Sequence, residues 1–216
     1  MLGLLVVSVS VTSLMFTGCT QQRNFEAEAE AQAPTTTAQP QERQANVPYV
    51  PTPEKVVDRM LKLANVSSND VLYDLGSGDG RIPITAVQKY GASRATGIEI
   101  NPQLVQQSRE NSQKAGVTDR VAFLQQDLFQ TDLSQATVVT LYLLPSVNLQ
   151  LQPKLLQELK PGTRIISHDF DMGEWKPERV ERVQGPARQH TIYYWVVPEN
   201  PSANLQWSFQ LLVTTY

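Results

Sequence analysis

Three acidic residues each follow a run that reads as a buried β-strand: Asp74 after Val71-Leu72-Tyr73, Glu99 after Ala95-Thr96-Gly97-Ile98, and Asp127 after Phe123-Leu124-Gln125-Gln126. Asp74 leads into Leu75-Gly76-Ser77-Gly78-Asp79-Gly80, where glycines let a ligand lie against the backbone and tolerate positive φ. Residues 81–90 have helical spacing, so the unit is strand, tight loop, helix. Ligands of open α/β sheets bind at the carboxyl ends of such strands. A dinucleotide fingerprint needs a further glycine three places after the second, and that place holds Arg81. No Gly-Lys-Ser/Thr follows, which excludes a P-loop. A carboxylate at Asp74 suits a cationic ligand and repels a pyrophosphate. Glu99 lies 25 residues after Asp74, near the spacing at which an acid accepts bidentate hydrogen bonds from ribose hydroxyls.

These residues need a framework, and its parts are readable. Thr52 is expected to cap a helix with Pro53 at its first position, and Val56, Val57, Met60, Leu61 and Ala64 give it one apolar stripe that Asn65 closes. A second capped helix runs from Asn101-Pro102 to Gly116. Residues 137–143 are a β-branched run expected at the centre of the sheet, buried on both faces. Pro145-Ser146 ends it, and Pro153 is expected to open the helix that stops at Lys160-Pro161-Gly162. Residues 163–167 form a fifth strand. Beyond it the strand–helix alternation stops, and residues 191–197 and 205–213 are two strand-like runs joined by Pro198-Glu199-Asn200-Pro201.

Composition divides the chain into residues 1–22, 23–46 and 47–216. The last is long enough for one well-buried α/β domain. Residues 1–22 carry no charged side chain and fit a signal h-region better than a spanning helix. They contain Phe16-Thr17-Gly18-Cys19, which resembles a bacterial lipoprotein cleavage box with Cys19 as the lipidated residue. An uncleaved anchor and a start placed too far downstream are the other readings. Residues 23–46 are rich in Gln, Ala, Glu, Thr and Pro, cannot offset ordering entropy, and read as a disordered tether. A net charge of −3 and the lack of a basic cluster with aromatics argue against a nucleic-acid partner. Cys19 is the single cysteine, so the domain has neither a disulfide nor a thiolate nucleophile. His168 and His190 show no partners in sequence for a zinc site, and no metal is indicated.

From Asp74 onward the chain resembles the class I S-adenosylmethionine (SAM) methyltransferases, with the acid and Gly-x-Gly-x-Gly turn as first motif. Narrower likeness comes from Tyr49-Val50-Pro51-Thr52-Pro53, Gly97-Ile98-Glu99-Ile100-Asn101-Pro102, Leu141-Tyr142-Leu143-Leu144-Pro145-Ser146 and Ser167-His168-Asp169-Phe170. Together they resemble prokaryotic relatives of a membrane-associated protein-lysine methyltransferase family whose animal members modify the ADP/ATP carrier and the ATP synthase c-subunit. The resemblance implies a Rossmann-like α/β fold: a mostly parallel seven-stranded sheet, helices on both faces and an antiparallel edge hairpin, here residues 191–197 with 205–213. It implies SAM as cofactor, held by Tyr49, Thr52, Asp74, Gly76, Ser77, Gly78, Gly80, Glu99, Asp127 and Leu143. Asp127 would meet the adenine amino group.

The implied acceptor is a lysine ε-amine of a protein, with a membrane protein as the expected class and Tyr142, His168 and Asp169 as catalytic candidates. Tyr49 and Trp175 are further candidates to line the acceptor channel. Enzymes that methylate planar nitrogens carry a polar Asn/Asp-Pro-Pro-Tyr after the fourth strand, and here the segment reads Leu143-Leu144-Pro145-Ser146. A small-molecule or lipid-headgroup methyltransferase and a non-catalytic SAM-binding protein are the alternatives. Attachment to a membrane through residues 1–22 is expected; the supply of SAM favours the cytosolic face, whereas a working lipoprotein signal would export the domain, so the face stays open.

Overall fold

Seven strands join in one sheet in the computed structural model, which describes residues 49–200. They are β1 (Val71–Leu75), β2 (Arg94–Glu99), β3 (Val121–Gln125), β4 (Val138–Leu141), β5 (Arg164–His168), β6 (Arg179–Gln184) and β7 (Gln189–Val196). Their order is β3-β2-β1-β4-β5-β7-β6. The first five are parallel, while β7 is antiparallel to β5 and β6 antiparallel to β7. The order reverses between β1 and β4, which opens a crevice at their carboxyl ends.

Alternation along each strand assigns side chains to opposite faces. Leu72, Ala95, Val138, Ile166 and Tyr194 share one core cluster with α1 (Glu54–Leu63), α2 (Arg81–Tyr90) and α3 (Pro102–Ala115). Leu75, Ile98, Val139, Ile165 and Trp195 share the other with α4 (Pro145–Glu158). All of β4 is buried, as a strand covered on both faces must be. Asn101 caps α3, its side chain accepting from the Gln103 and Leu104 amides, and Gly116 ends it at φ 69°.

Three local expectations are corrected. Pro53, not Thr52, is the N-cap of α1, and the Thr52 side chain turns away to a histidine described below. Helix α4 begins at Pro145 and contains Pro153. The ring removes one helical hydrogen bond, and burial of Leu151 and Leu155 on either side of it keeps the helix continuous. The edge hairpin is β6–β7 rather than residues 191–197 with 205–213, and the latter segment lies outside the described residues. Strand β6 reads Arg-Val-Glu-Arg-Val-Gln, and only Val183 of it is buried. Among the described residues β6 has one neighbouring strand, and such a strand needs no apolar run and is protected by charge. Among the described residues no helix is long and apolar enough to cross a membrane. The segments 1–22 and 23–46 fall outside the described residues.

Candidate functional site

A cavity of about 420 Å³ lies at the carboxyl ends of β1, β2 and β4. Its floor is the end of β1 and the turn after it, from which Asp74, Gly76 and Ser77 line the cavity. Gly76 has φ +81°, a left-handed backbone that favours glycine, and a Cβ there would come within 2.7 Å of Leu143 Cδ2 and displace that side chain. Gly78 (φ +54°) lies under the Tyr49 ring, where a Cβ would meet Cε2 at 2.3 Å. Gly80 stands behind the cavity rather than in its lining: it is the N-cap of α2, at φ +81°. A Cβ at Gly80 would lie 2.4 Å from Phe123 Cζ and 2.9 Å from Ser108 Cβ. Gly80→Ala is therefore expected to destabilise the fold by about 2–4 kcal/mol, from backbone strain plus overpacking, measured by denaturant unfolding without ligand.

Glu99 ties the turn to the next strand. Its Oε2 accepts the Gly78 amide at 3.0 Å, and its Oε1 accepts those of Ile100 and Asn101 at 2.9 Å each. A carboxylate offers about four acceptor positions. Three are therefore taken by backbone, which leaves about one toward the cavity rather than the two a bidentate ribose contact needs. Asp74 is buried and accepts the Thr140 hydroxyl at 2.6 Å. Burial pushes its carboxyl up to about 7, with Glu99 and Asp79 adding to the rise against the Thr140 hydrogen bond. The Ser77 hydroxyl is buried with no hydrogen-bond partner. An orphaned hydroxyl, a glycine floor and a buried carboxylate fit a ligand that brings its own polar and cationic groups. Asp127, whose Oδ1 accepts the Phe129 amide at 2.9 Å, completes the acidic series on the cavity wall.

Residues 49–52 form a strap across the cavity, and all four line it. Arg81 anchors the strap: Nη1 donates to the Thr52 carbonyl at 2.9 Å, while Nε and Nη2 grip Asp79. Position 81, where a dinucleotide loop would carry glycine, holds a residue that ties this loop to the strap. Tyr142, Leu143 and Val147, from the segment after β4 and from α4, add aromatic and apolar side chains to the lining. Tyr142 and Leu143 follow β4 instead of extending it, which frees them to face the cavity.

Tyr142 packs against His168, ring centroids 3.9 Å apart and planes tilted by 35°. His168 is fully buried, and burial outweighs the pull of Asp169 to push its imidazole down to about 4, so the ring is neutral near pH 7. Burial raises the Asp169 carboxyl, but Arg188 and the Thr191 amide outweigh it and hold the group below the usual carboxylate range. That makes Asp169 a poor proton acceptor, and neither it nor His168 lines the cavity. The expectation that His168 and His190 lack partners is corrected, because the β5–β7 pairing places both beside Asp169. His168 Nε2 is 2.8 Å from His190 Nδ1 and 3.2 Å from Asp169 Oδ2. Arg188 occupies the same carboxylate oxygen. Trp175 is not in the cavity lining: its ring packs 6.1 Å from that of Trp195, and its carbonyl accepts the Trp195 indole N–H. Sequence reasoning missed His190, Arg188 and Arg81. Each acts on a residue distant along the chain, and only the Arg81 position carried a signal, as a departure from the dinucleotide pattern.

The family model for the ANTKMT methyltransferase domain matches residues 74–179. A protein-lysine N-methyltransferase of Saccharolobus islandicus is 49% identical over 155 residues, covering 72% of this chain and 96% of that protein. The ATP synthase c-subunit lysine N-methyltransferase of Homo sapiens is 36% identical over 138 residues, and the match spans 64% of this chain and 58% of that one. Among solved structures, an RNA methyltransferase of Salinibacter ruber in complex with S-adenosyl-L-homocysteine is 58% identical, with a TM-score of 0.66, and covers 70% of this chain and 95% of its own.

Proposed function

The chain belongs to the protein-lysine N-methyltransferases that share the ANTKMT methyltransferase domain, and from that premise we propose that it methylates the ε-amine of a lysine on a protein. It is a SAM-dependent methyltransferase. Bound SAM supplies an electrophilic methyl group on a sulfonium. In our reading Asp74 presents negative charge to the cationic end of the cofactor, and Ser77 Oγ donates to its amino-acid portion. Glu99 accepts a ribose hydroxyl through its remaining position. Asp127 accepts the adenine amino group, while Leu128, Phe129 and Ile100 supply apolar walls. Tyr49, Thr52, Gly76, Gly78 and Leu143 shape the cleft, and Gly80 acts only through the fold.

The acceptor side rests on one observation: the segment after β4 and helix α4 contribute Tyr142, Leu143 and Val147 to the lining, none of them an amide or carboxylate that would orient a planar nitrogen. A lysine ammonium has a reference pKa of about 10.4, and an apolar channel penalises its charge and favours the free amine. Alignment of the lone pair is then a matter of positioning, and Tyr142 supplies an aromatic face for the alkylamine. His168 and Asp169 support Tyr142 from behind and touch no acceptor.

The Salinibacter relative carries the name of an RNA enzyme. Phosphate contacts at the cavity would require a free cation there, whereas Arg81, which lines it, is ion-paired with Asp79. The cavity-lining Tyr49 and Val50 are exposed apolar groups, as are Leu144 and Leu149 on either side of Val147. This surface suits a protein segment better. A membrane protein is the acceptor class we favour, reached through residues 1–22. The apolar run 2–16 and the human relative named for the c-subunit of ATP synthase support that choice.

The test incubates the full chain with tritiated-methyl SAM, cell membranes, soluble protein and total RNA in separate reactions. Label is expected in a discrete protein band that resists ribonuclease, and hydrolysis is expected to yield methyl-lysine. Label in RNA, or only in extractable small molecules, would overturn the proposal.

A further inference from the structure

A line of side chains runs from the β6–β7 hairpin to the strap over the cavity, and its continuity has a consequence for the strap. Arg188, in the hairpin turn, is paired with Asp169. Asp169 holds a left-handed backbone at φ 63°, unusual for a residue with a side chain, and its Oδ1 accepts the Thr191 amide at 2.9 Å. That arrangement sets Oδ2 3.4 Å from His190 Nδ1 and 3.2 Å from His168 Nε2. The two imidazoles meet at 2.8 Å. On its far side, His168 Nδ1 lies 3.1 Å from the Thr52 hydroxyl. Thr52, His168 and His190 are all buried, and the Thr52–His168 contact spans 116 residues of sequence.

In either tautomer of His168 one ring nitrogen pairs with the Thr52 hydroxyl and the other with His190 Nδ1. The hydrogen bond between His190 Nδ1 and His168 Nε2 fixes the tilt of the ring. The His168 ring is also clamped by Tyr142 at 3.9 Å, so it has one orientation in which both nitrogens are satisfied. Thr52 ends the strap and lines the cavity. We propose that His190 is a positioning residue that acts through His168 and Thr52 to hold residues 49–52 closed over the cofactor. The strap is thus secured at two points, Arg81 on the Thr52 carbonyl and this chain on its hydroxyl.

The same three groups could also be drawn as metal ligands, since two imidazoles and a carboxylate converge within 4.8 Å. The Arg188 guanidinium holds the oxygen such an ion would need, and both His168 nitrogens already have hydrogen-bond partners. The hydrogen-bonded reading is the better fit.

The inference rests on the cavity being the SAM site and is independent of the acceptor. Calorimetric titration of SAM into the full-length wild type comes first: failure to bind would remove the reading of the cavity itself. Thr52→Val and His190→Leu are each expected to raise Kd about five- to tenfold, the effect of one lost buried hydrogen bond. The double variant is expected to match the weaker-binding single variant, because both break one chain although their side chains do not touch. His190→Asn keeps a polar atom near the Nδ1 position and should recover most of what His190→Leu loses. Hydrogen exchange should show faster amide exchange near residues 49–56 in both single variants, with unaltered protection in β1, β2 and β4. Additive effects in the double variant, unchanged Kd in the single ones, or uniform loss of protection would overturn the proposal. Stoichiometric Zn²⁺ uptake that disappears in His190→Asn would overturn it too, and would make the cluster a metal centre.

Discussion

Changing Glu99 to alanine raises the Kd for SAM or S-adenosyl-L-homocysteine at least about a hundredfold, an effect of some 3 kcal/mol or more. The size follows from the two tasks of one side chain. The substitution removes the acceptor proposed for a ribose hydroxyl, and a hydrogen bond to a charged group contributes about 1.5–3 kcal/mol. It also releases the Gly78, Ile100 and Asn101 amides, so the floor of the cavity loses its tie to β2. Glu99→Gln is a milder probe of the same arrangement. Whichever oxygen becomes an amide nitrogen then faces at least one backbone N–H, and donor meets donor. A loss of at least about tenfold is expected with overall volume unchanged. Calorimetric titration measures both, with circular dichroism to confirm the sheet. Wild-type affinity in Glu99→Gln would mean that the carboxylate has no part in ligand binding.

The second large effect is a dependence of cofactor affinity on pH. Without ligand the buried Asp74 carboxyl is raised to about 7. A cationic ligand favours the carboxylate, so binding must first remove a proton whenever the pH is below that value. Affinity is therefore expected to climb with pH, by up to about tenfold per unit below 7, and to level off above about 8. Asp74→Asn retains an acceptor for the Thr140 hydroxyl but can carry no charge. Its affinity should be at least about tenfold weaker at pH 8 and flat where the wild type rises. The ratio of the two Kd values cancels titration of the ligand itself. Stability of the cofactor-free protein carries the opposite sign. The folded state holds a proton on Asp74 that the unfolded chain has released, so this group's stabilising contribution is present below about pH 4 and is lost as pH rises through about 7. A ratio that does not change with pH would show that Asp74 does not titrate in this range.

The acidic series was readable because each member is a local matter. Asp74, Glu99 and Asp127 each end or follow a strand whose apolar run is visible, and parallel pairing brings strand ends to one edge without knowledge of side-chain contacts. The histidine pair was not readable. His168 and His190 are 22 residues apart, and they meet only through the register of an antiparallel pair. The nearest pairing sets His168 opposite Ile192, and strand spacing alone does not indicate that. Strand β6 escaped notice because its charged, half-exposed pattern resembles a solvated loop. Thr52 misled for a different reason: threonine before proline is an N-cap signal on local grounds, and a buried imidazole from β5 outcompetes the helix for its hydroxyl. Trp175 shows that an aromatic near the candidate acceptor channel can belong to a core; Trp195 claims it.

The cavity is strung across the ends of separate strands, and one carboxylate bridges two of them. Whatever fills it therefore acts on the survival of the whole molecule as well as on turnover. By mass action a ligand present at a hundred times its Kd adds about 2.7 kcal/mol to the folded state and none to the unfolded one. In the proposed binding mode product and cofactor share most of these contacts, so each is expected to shelter the chain from proteolysis whether or not methyl transfer proceeds. Abundance of the protein in a cell should then follow the combined pool of the two, while its output follows their ratio.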